Sequence, residues 1–436
     1  NCDWSSDVCS SRSLLCESPV PACCTPTPAV EKVQFKRVKP FKDSVLPYYA
    51  SLSFPLLCAM AVHFEGIFTF IPFLWAFLAT PLLDFLLPDD FANPTEQQMK
   101  ELANDRRFWL VPILWIPAQL ASLIYVCYKF SYNSFDLLET VGLILSFATQ
   151  GGVGINVGHE LGHRHASPWY EHQLANIPLA CGLYSHFNIE HNQGHHLRVA
   201  TVEDPASSRF NETFWEFLPR TVCGSFRSAW EICARKQLRR QRPIVAVSNP
   251  MVWHAITPFL LSAIIALIGG LAPMLFFISQ GIGSFVLLEV VNYVEHYGLV
   301  RLKRTAHDRT SYEPVKARHS WNNSASFSQL LLFKLNRHSD HHEHSNLRYH
   351  ILRTVDEAPQ LPCGYPAAMI LALFPPLWMA IMNPRVPDIN KSKELLEWEQ
   401  EQGEGCYGAI IPVIQRQLTT LLAVYYASEQ FVRTMA

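Results

Sequence analysis

The chain has 436 residues, 49% of them apolar and only 17% charged, with a formal net charge of −2. A soluble protein of this length would carry about a quarter charged residues and divide into two or three domains, so a water-soluble globular chain is disfavoured. The near-neutral balance gives no footing for nucleic-acid binding, and the twelve cysteines, crowded near the N-terminus or scattered through apolar stretches, make no disulfide framework.

Residues 1–30 begin at Asn1 and show neither an apolar signal core nor a helical period. They read as a non-native or disordered segment set apart from the fold. A basic stretch follows, with Lys32, Lys36, Arg37, Lys39 and Lys42, and then six apolar blocks: Val45–Val62, Gly66–Leu87, Trp109–Phe130, Leu137–Val157, Val252–Gly270 and Pro273–Tyr297. Each is near the roughly 20 residues that cross a bilayer core. The expected fold is therefore an all-α integral membrane domain over residues 31–386 with six transmembrane helices. Glu139 and Glu289 interrupt two blocks, and acids at such depth face a bundle interior or a site. Residues 387–436 form a C-terminal extension whose apolar run, Ala409–Tyr426, reads as an interfacial helix.

The basic residues set the orientation. Three short connections, at His63–Glu65, around Ser131–Asp136 and around Gly269–Pro273, contain no Lys or Arg. The opposite regions hold Arg106, Arg107, Arg235, Lys236, Arg239, Arg240, Arg242, Arg301, Lys303 and Arg304. The positive-inside rule places these in the cytoplasm. The same topology puts every histidine-rich stretch on that side, although it was drawn without reference to them.

Those stretches are the chain's densest chemistry. GHELGHRH gives His159 and His163 four apart; NIEHNQGHHLRVATVED gives His191, His195 and His196; VNYVEHYGL gives His296; LNRHSDHHEH gives His338, His341 and His342. Side chains four apart on a helix share a face, and neutral imidazole is the commonest metal ligand. A lone histidine on an apolar face is more often a core residue, but nine at ligand spacing are not explained that way. One zinc takes four ligands at most in structural sites; nine suit two metals. Glu160, Glu190, Glu295 and Asp340 each adjoin a ligand candidate, and read as carboxylates that hold imidazole tautomers and offset charge. The remaining histidines are taken as non-ligands, with His319 and His344 candidates for supporting contacts.

The spacing HxxxH, HxxxHH, HxxHH resembles the integral-membrane fatty-acid desaturase and hydroxylase superfamily. HELGHRH, EHNQGHHLRVATVEDPASSR, NYVEHYGL and LNRHSDHH together look like its alkane 1-monooxygenases, a likeness that runs from about Phe41 to Val386 and includes His319–Asn323 and Leu361–Pro366. The resemblance implies a membrane hydroxylase with a non-haem di-iron centre held by the nine histidines. It further implies that dioxygen is the co-substrate, and that one oxygen atom enters the terminal C–H bond of a linear alkane. The other oxygen leaves as water, at the expense of two electrons from rubredoxin or a ferredoxin with an NAD(P)H-dependent reductase. A bacterial inner membrane would house it, and the alkane would enter from the lipid. Trp75 and Ala76 lie in the region that lines the substrate channel in this family; with Ala76 inward, longer alkanes should fit. Arg220, Arg227, Arg235, Arg239 and Arg240 could receive an acidic electron carrier or bind lipid headgroups.

Other readings stay in view. HExxH alone matches an intramembrane zinc metalloprotease with Glu160 as base, which leaves seven histidines unexplained. A fatty-acid or alkylbenzene hydroxylase or desaturase would share the same histidines. A metal transporter would line a path across the bilayer rather than gather its ligands at one face.

Overall fold

Five helices among the described residues are long and apolar enough to cross a membrane. The computed structural model describes residues 40–388, apart from 43, 164–168 and 307–308. The N-terminal segment 1–30 and the expected helix at Ala409–Tyr426 lie outside the described residues. Along the chain the principal helices are α1 (Ser53–Phe64), α2 (Gly66–Leu86), α3 (Arg106–Tyr132), α4 (Leu137–Gly162), α5 (Phe214–Arg239), α6 (Pro250–Gly269), α7 (Leu271–His296), α8 (His338–Glu343), α9 (Tyr365–Ala372) and α10 (Pro375–Met382). The five candidate spans are α2, α3, α4, α6 and α7.

The sixth apolar block behaves differently from the others. Val45–Val62 folds as a 3₁₀ stretch, Leu46–Leu52, running straight into the twelve-residue α1, so no single α-helix of spanning length forms there. The chain is also not purely helical, since Lys303–Ala306 and Arg309–Tyr312 pair as a small antiparallel hairpin.

Local chemistry explains the ends. Asp136 and Glu139 form a reciprocal capping box at the start of α4, with Asp136 Oδ1 accepting from the Glu139 N–H at 2.7 Å and Glu139 Oε2 from the Asp136 N–H at 2.9 Å. Glu139 therefore sits at a helix end, not in mid-membrane. Asp105 caps α3 through the Arg107 N–H, and Asn249 caps α6 through the Met251 N–H. Gly270, at φ +93°, turns α6 into α7. That backbone conformation is costly for a side chain with Cβ.

The three short loops lie together. Glu139 Oε1 accepts from the Gly66 N–H at 2.8 Å, Lys129 pairs with Glu65 at 2.6 Å, and Gly269 packs on Ser131. The histidine-bearing ends of α4 and α7 are at the other end of the bundle. These two helices approach closely because small residues face each other: Gly151 lies against Ser284 and Gln280, and Gly283 against Ala148. Close backbone approach through small residues is how membrane helices gain packing contact without a hydrophobic driving force. Gly151→Leu should therefore wedge α4 from α7, lowering stability by about 1–3 kcal/mol, read as a fall in the thermal midpoint of the detergent-purified protein.

Candidate metal centre

The structure gathers nine histidines into two buried groups. His159, His163, His191, His196 and His341 form one; His195, His296, His338 and His342 form the other, and within each the ligand atoms lie within 4.8 Å of one another. Neighbouring Nε2 atoms stand 2.9 Å apart for His159–His341, 3.1 Å for His163–His191, 3.0 Å for His191–His196, 3.2 Å for His195–His342, 3.3 Å for His296–His338 and 2.9 Å for His338–His342. Two nitrogens each roughly 2.1 Å from one metal ion, at right angles, would be about 3.0 Å apart. Acceptor nitrogens converging at that separation have the geometry of shared coordination.

Backbone geometry sorts the imidazoles. His159 and His163 are four apart on α4 and fall in the same group. His191 and His195 are equally spaced yet fall in different groups, because His191–His195 is a π-helical turn. In an α-helix His196 would lie about 140° round the axis from His191. The wider i→i+5 turn swings them onto one side and hands His195 to the second group. Gly194 leaves room in this turn for the Glu190–Arg198 pair, whose side-chain ends a Cβ there would displace. On α8, His338 and His342 face one group while His341, between them, faces the other. The single turn α8 thus ties the two groups together.

The carboxylates near the ligands do different work from one another. Asp204, which the sequence reading did not single out, is fully buried and contacts His195 Nδ1 at 2.8 Å while accepting from Ser207 Oγ at 2.6 Å. Glu295 Oε2 lies 3.2 Å from His338 Nε2, and the Tyr365 side chain meets the same carboxyl group. Glu190 and Asp340 instead pair with arginines: Glu190 with Arg198 at 2.7 Å, Asp340 with Arg353 at 2.7 Å and with His344 at 3.1 Å. Asp340 also accepts from the Arg353 backbone N–H at 2.8 Å, which anchors α8 to the following loop. Glu160 accepts from the Tyr349 N–H at 3.5 Å. His296 Nδ1 reaches the His319 carbonyl at 3.4 Å, while the His319 ring is held by Glu313 at 3.1 Å.

Burial, reinforced by the neighbouring imidazoles, pushes His191, His196, His338 and His342 well below the ordinary histidine range. Neutral rings are the form that binds metal. Burial also opposes charge on His195, but the Asp204 carboxylate and its hydrogen bond outweigh it and hold His195 above the ordinary value. Asp204 is correspondingly drawn down to about 2, His195 overcoming the effect of burial. Burial and the Asp204 charge push Glu190 up to about 7 against the pull of His195 and Arg198.

An apolar cavity of about 70 Å³ abuts the centre, with His159, His191, His338 and Glu295 in its lining and Phe54, Ala76, Phe77, Leu287, Val291 and Met369 among the rest of its wall. Ala76, not Trp75, faces it. The Trp75 indole is turned aside, donating to Ser53 Oγ at 3.0 Å and meeting the Phe327 ring edge-on. A second π-helical turn, Trp75–Ala79, occurs here in α2. Glu289, an acid within α7, accepts from Tyr184 Oη at 2.6 Å, Thr221 Oγ1 at 2.8 Å and Asn292 Nδ2 at 3.1 Å. Arg220 is not available to a partner, being buried against Glu212 at 2.7 Å and donating to the Pro205 and Ser207 carbonyls.

Residues 137–369 match the fatty acid desaturase family. The chain is 37% identical over 322 residues to the alkane 1-monooxygenase 2 of Alcanivorax borkumensis, covering 72% of this chain and 82% of that protein. It is 39% identical over 309 residues to the alkane 1-monooxygenase of Acinetobacter baylyi, covering 70% of this chain and 74% of that protein. A Pseudomonas aeruginosa alkane 1-monooxygenase 2 is 38% identical over 310 residues, 70% of this chain and 81% of the relative.

Asp204→Asn removes the anion behind His195 while keeping its shape. Losses of this kind weaken metal affinity by about 10–100-fold. Metal analysis after mild chelation should show the four-histidine group emptying first.

Proposed function

This chain belongs to the alkane 1-monooxygenases of the fatty acid desaturase family, and from that membership we propose that it converts linear alkanes to 1-alkanols with dioxygen. The observation that carries the reading is that rings from both histidine groups, His159 and His191 of one and His338 of the other, line a single apolar cavity. A substrate with no polar handle binds only by burial, roughly 0.8 kcal/mol per methylene, and such a cavity supplies it.

The donor set fits two iron ions. His159, His163, His191, His196 and His341 would hold one, and His195, His296, His338 and His342 the other. Iron supplies the redox change that dioxygen activation needs and zinc lacks. The protein's own groups position and insulate. Asp204 fixes the His195 tautomer. Glu295, beside His338 and in the cavity lining, would place a carboxyl group next to the ion held by the second group. Glu190 and Asp340 act one step further out, through Arg198 and Arg353, by holding the π-helical turn and α8 in place. Glu160 steadies α4 against Tyr349. The cavity wall excludes water and admits the alkane end-on towards His159, His191 and His338, which favours the terminal carbon. Ala76 on that wall leaves room for longer chains.

Inserting one oxygen atom and releasing the other as water consumes two electrons and two protons. A rubredoxin or ferredoxin with an NAD(P)H-dependent reductase is the proposed source of electrons. We place the centre on the cytoplasmic side of a bacterial inner membrane with six crossings. The sixth is the continuous rod formed by Leu46–Leu52 and α1, about 32 Å long at 3₁₀ and α-helical rises, against a core of about 30 Å.

The test is oxygen-dependent conversion of a homologous alkane series by the purified protein with rubredoxin and its reductase. Terminal alcohols should be the products. Fatty-acid or alkylbenzene oxidation without alkane oxidation would overturn the reading. His296→Ala should abolish turnover, with iron falling from about two ions per chain towards about one. Ala76→Trp should move the preference to shorter alkanes, because each methylene shut out of the cavity forfeits roughly 0.8 kcal/mol; the product distribution across the series reads this directly.

A further inference from the structure

Helix α5 is too charged to span a membrane, yet it does not belong to the aqueous domain either. Near its N-terminus, Phe214 and Phe217 pack with Val290, Tyr293 and Val294 close to the end of α7. Towards its C-terminus, Ala229, Ile232 and Cys233 pack with Met251 at the start of α6. Because α6 and α7 are joined directly at Gly270, the start of one and the end of the other emerge on the same side of the bilayer. A helix of 26 residues, about 39 Å long, that rests on both must lie along that side.

Its outward surface is not what water would select. Trp215, Pro219, Val222, Phe226 and Trp230 recur at three- and four-residue spacing and make one stripe; Trp215 is 55% and Phe226 39% exposed, while Val222 and Trp230 are half-buried, Trp230 resting with one side on the cluster of Ile232 and Met251. The Trp215 indole donates to the Leu373 carbonyl at 3.2 Å, joining the stripe to the corner between α9 and α10. There Phe374 is 57% and Leu377 52% exposed. Beside the stripe, Arg227 and Arg235 both pair with Glu231 and remain largely exposed.

We propose that α5 is an in-plane membrane helix. Its Trp215–Trp230 stripe and the Phe374–Leu377 corner sit among the upper acyl chains of the leaflet on the histidine side, with Arg227 and Arg235 at the phosphates. An apolar face bordered by arginines and ended by tryptophans is the composition of an interfacial helix, and long basic side chains reach headgroups while their stems stay in the apolar layer. Lipid, rather than a second copy of the chain, is the occupant, because the stripe runs along the side from which α6 and α7 emerge and is flanked by exposed arginines suited to phosphates. The consequence reaches the metal centre. Thr221 of α5 donates to Glu289, and Ser228 receives Arg198, the partner of Glu190 behind the π-helical turn. The bilayer surface thereby becomes a plate against which that turn is set.

Bromine-labelled phosphatidylcholine and phosphatidylglycerol nanodiscs carrying the iron-loaded full-length protein provide the test. With eleven tryptophans in the chain, one contributes roughly a tenth of the emission if all emit alike. Trp215→Phe and Trp230→Phe should each lower the quenchable share by that order, more with bromine near the headgroup than deep in the chain. Phe226→Trp should raise it. These exchanges are conservative, so iron content serves as the check on folding. Unchanged quenching in all three variants would overturn the proposal. So would particle masses of two chains that fall to one in Phe226→Ser, since a second copy would then be what covers the stripe.

Discussion

Imidazole nitrogens that converge to about 3 Å repel unless a cation or a shared proton lies between them, and this molecule brings nine together at two points. That arrangement is costly to hold by burial alone. It persists because each ring is clamped by an element with another reason to be where it is. His159 and His163 end a helix locked to α7 by facing glycines and serines. His296 ends α7 itself. His338, His341 and His342 share one turn that Arg353 pins through Asp340. The fold is a frame for pointing rings inward from four separate stretches of chain.

Much of this was legible in the sequence. Hydropathy marked out all five helices of spanning length, and the loops without basic residues do lie together at the end away from the histidines. The histidine stretches stood out because ligand chemistry tolerates few substitutes. What could not be read was which ring goes where. A four-residue spacing means one face only in an α-helix, and nothing in HNQGHH announces a π-helical turn beyond a glycine at position 194. Asp204 was likewise hidden. It lies nine residues from His195 along the chain and comes alongside only because the intervening segment folds back, with Ser207 bridging Asp204 to the Ala200 N–H.

The arginines teach the same lesson in reverse. Sequence proximity made Glu190 and Asp340 look like direct neighbours of ligand rings, yet each spends its charge on an arginine further along the chain. Arg220 looked like a surface charge and is instead buried in a pair with Glu212. Charged groups taken out of water need a partner of opposite sign, and a one-dimensional reading cannot tell which residue will be near enough to provide one. The block Val45–Val62 shows the limit of composition: its apolar content is sufficient, but Pro47 and Pro55 fall within it, and the first part winds as a 3₁₀ stretch.

Under the proposed function, selectivity for the end of a chain would come from how the apolar cavity seats the molecule rather than from any group that recognises a methyl. Every C–H bond along an alkane is weaker than the terminal one, so an unrestrained centre would oxidise the interior. Phe54, Phe77, Leu287 and Met369 share the cavity lining with His159, His191 and His338, and under the proposed function a linear molecule held there would have to bring its tip to those rings. Each methylene enclosed would add roughly 0.8 kcal/mol, so under the proposed function the deepest seating the wall permits would be favoured, with Ala76 among the residues that bound it. The same apolar wall would then supply both affinity and regiochemistry, and a chain too short to fill it would lose both together.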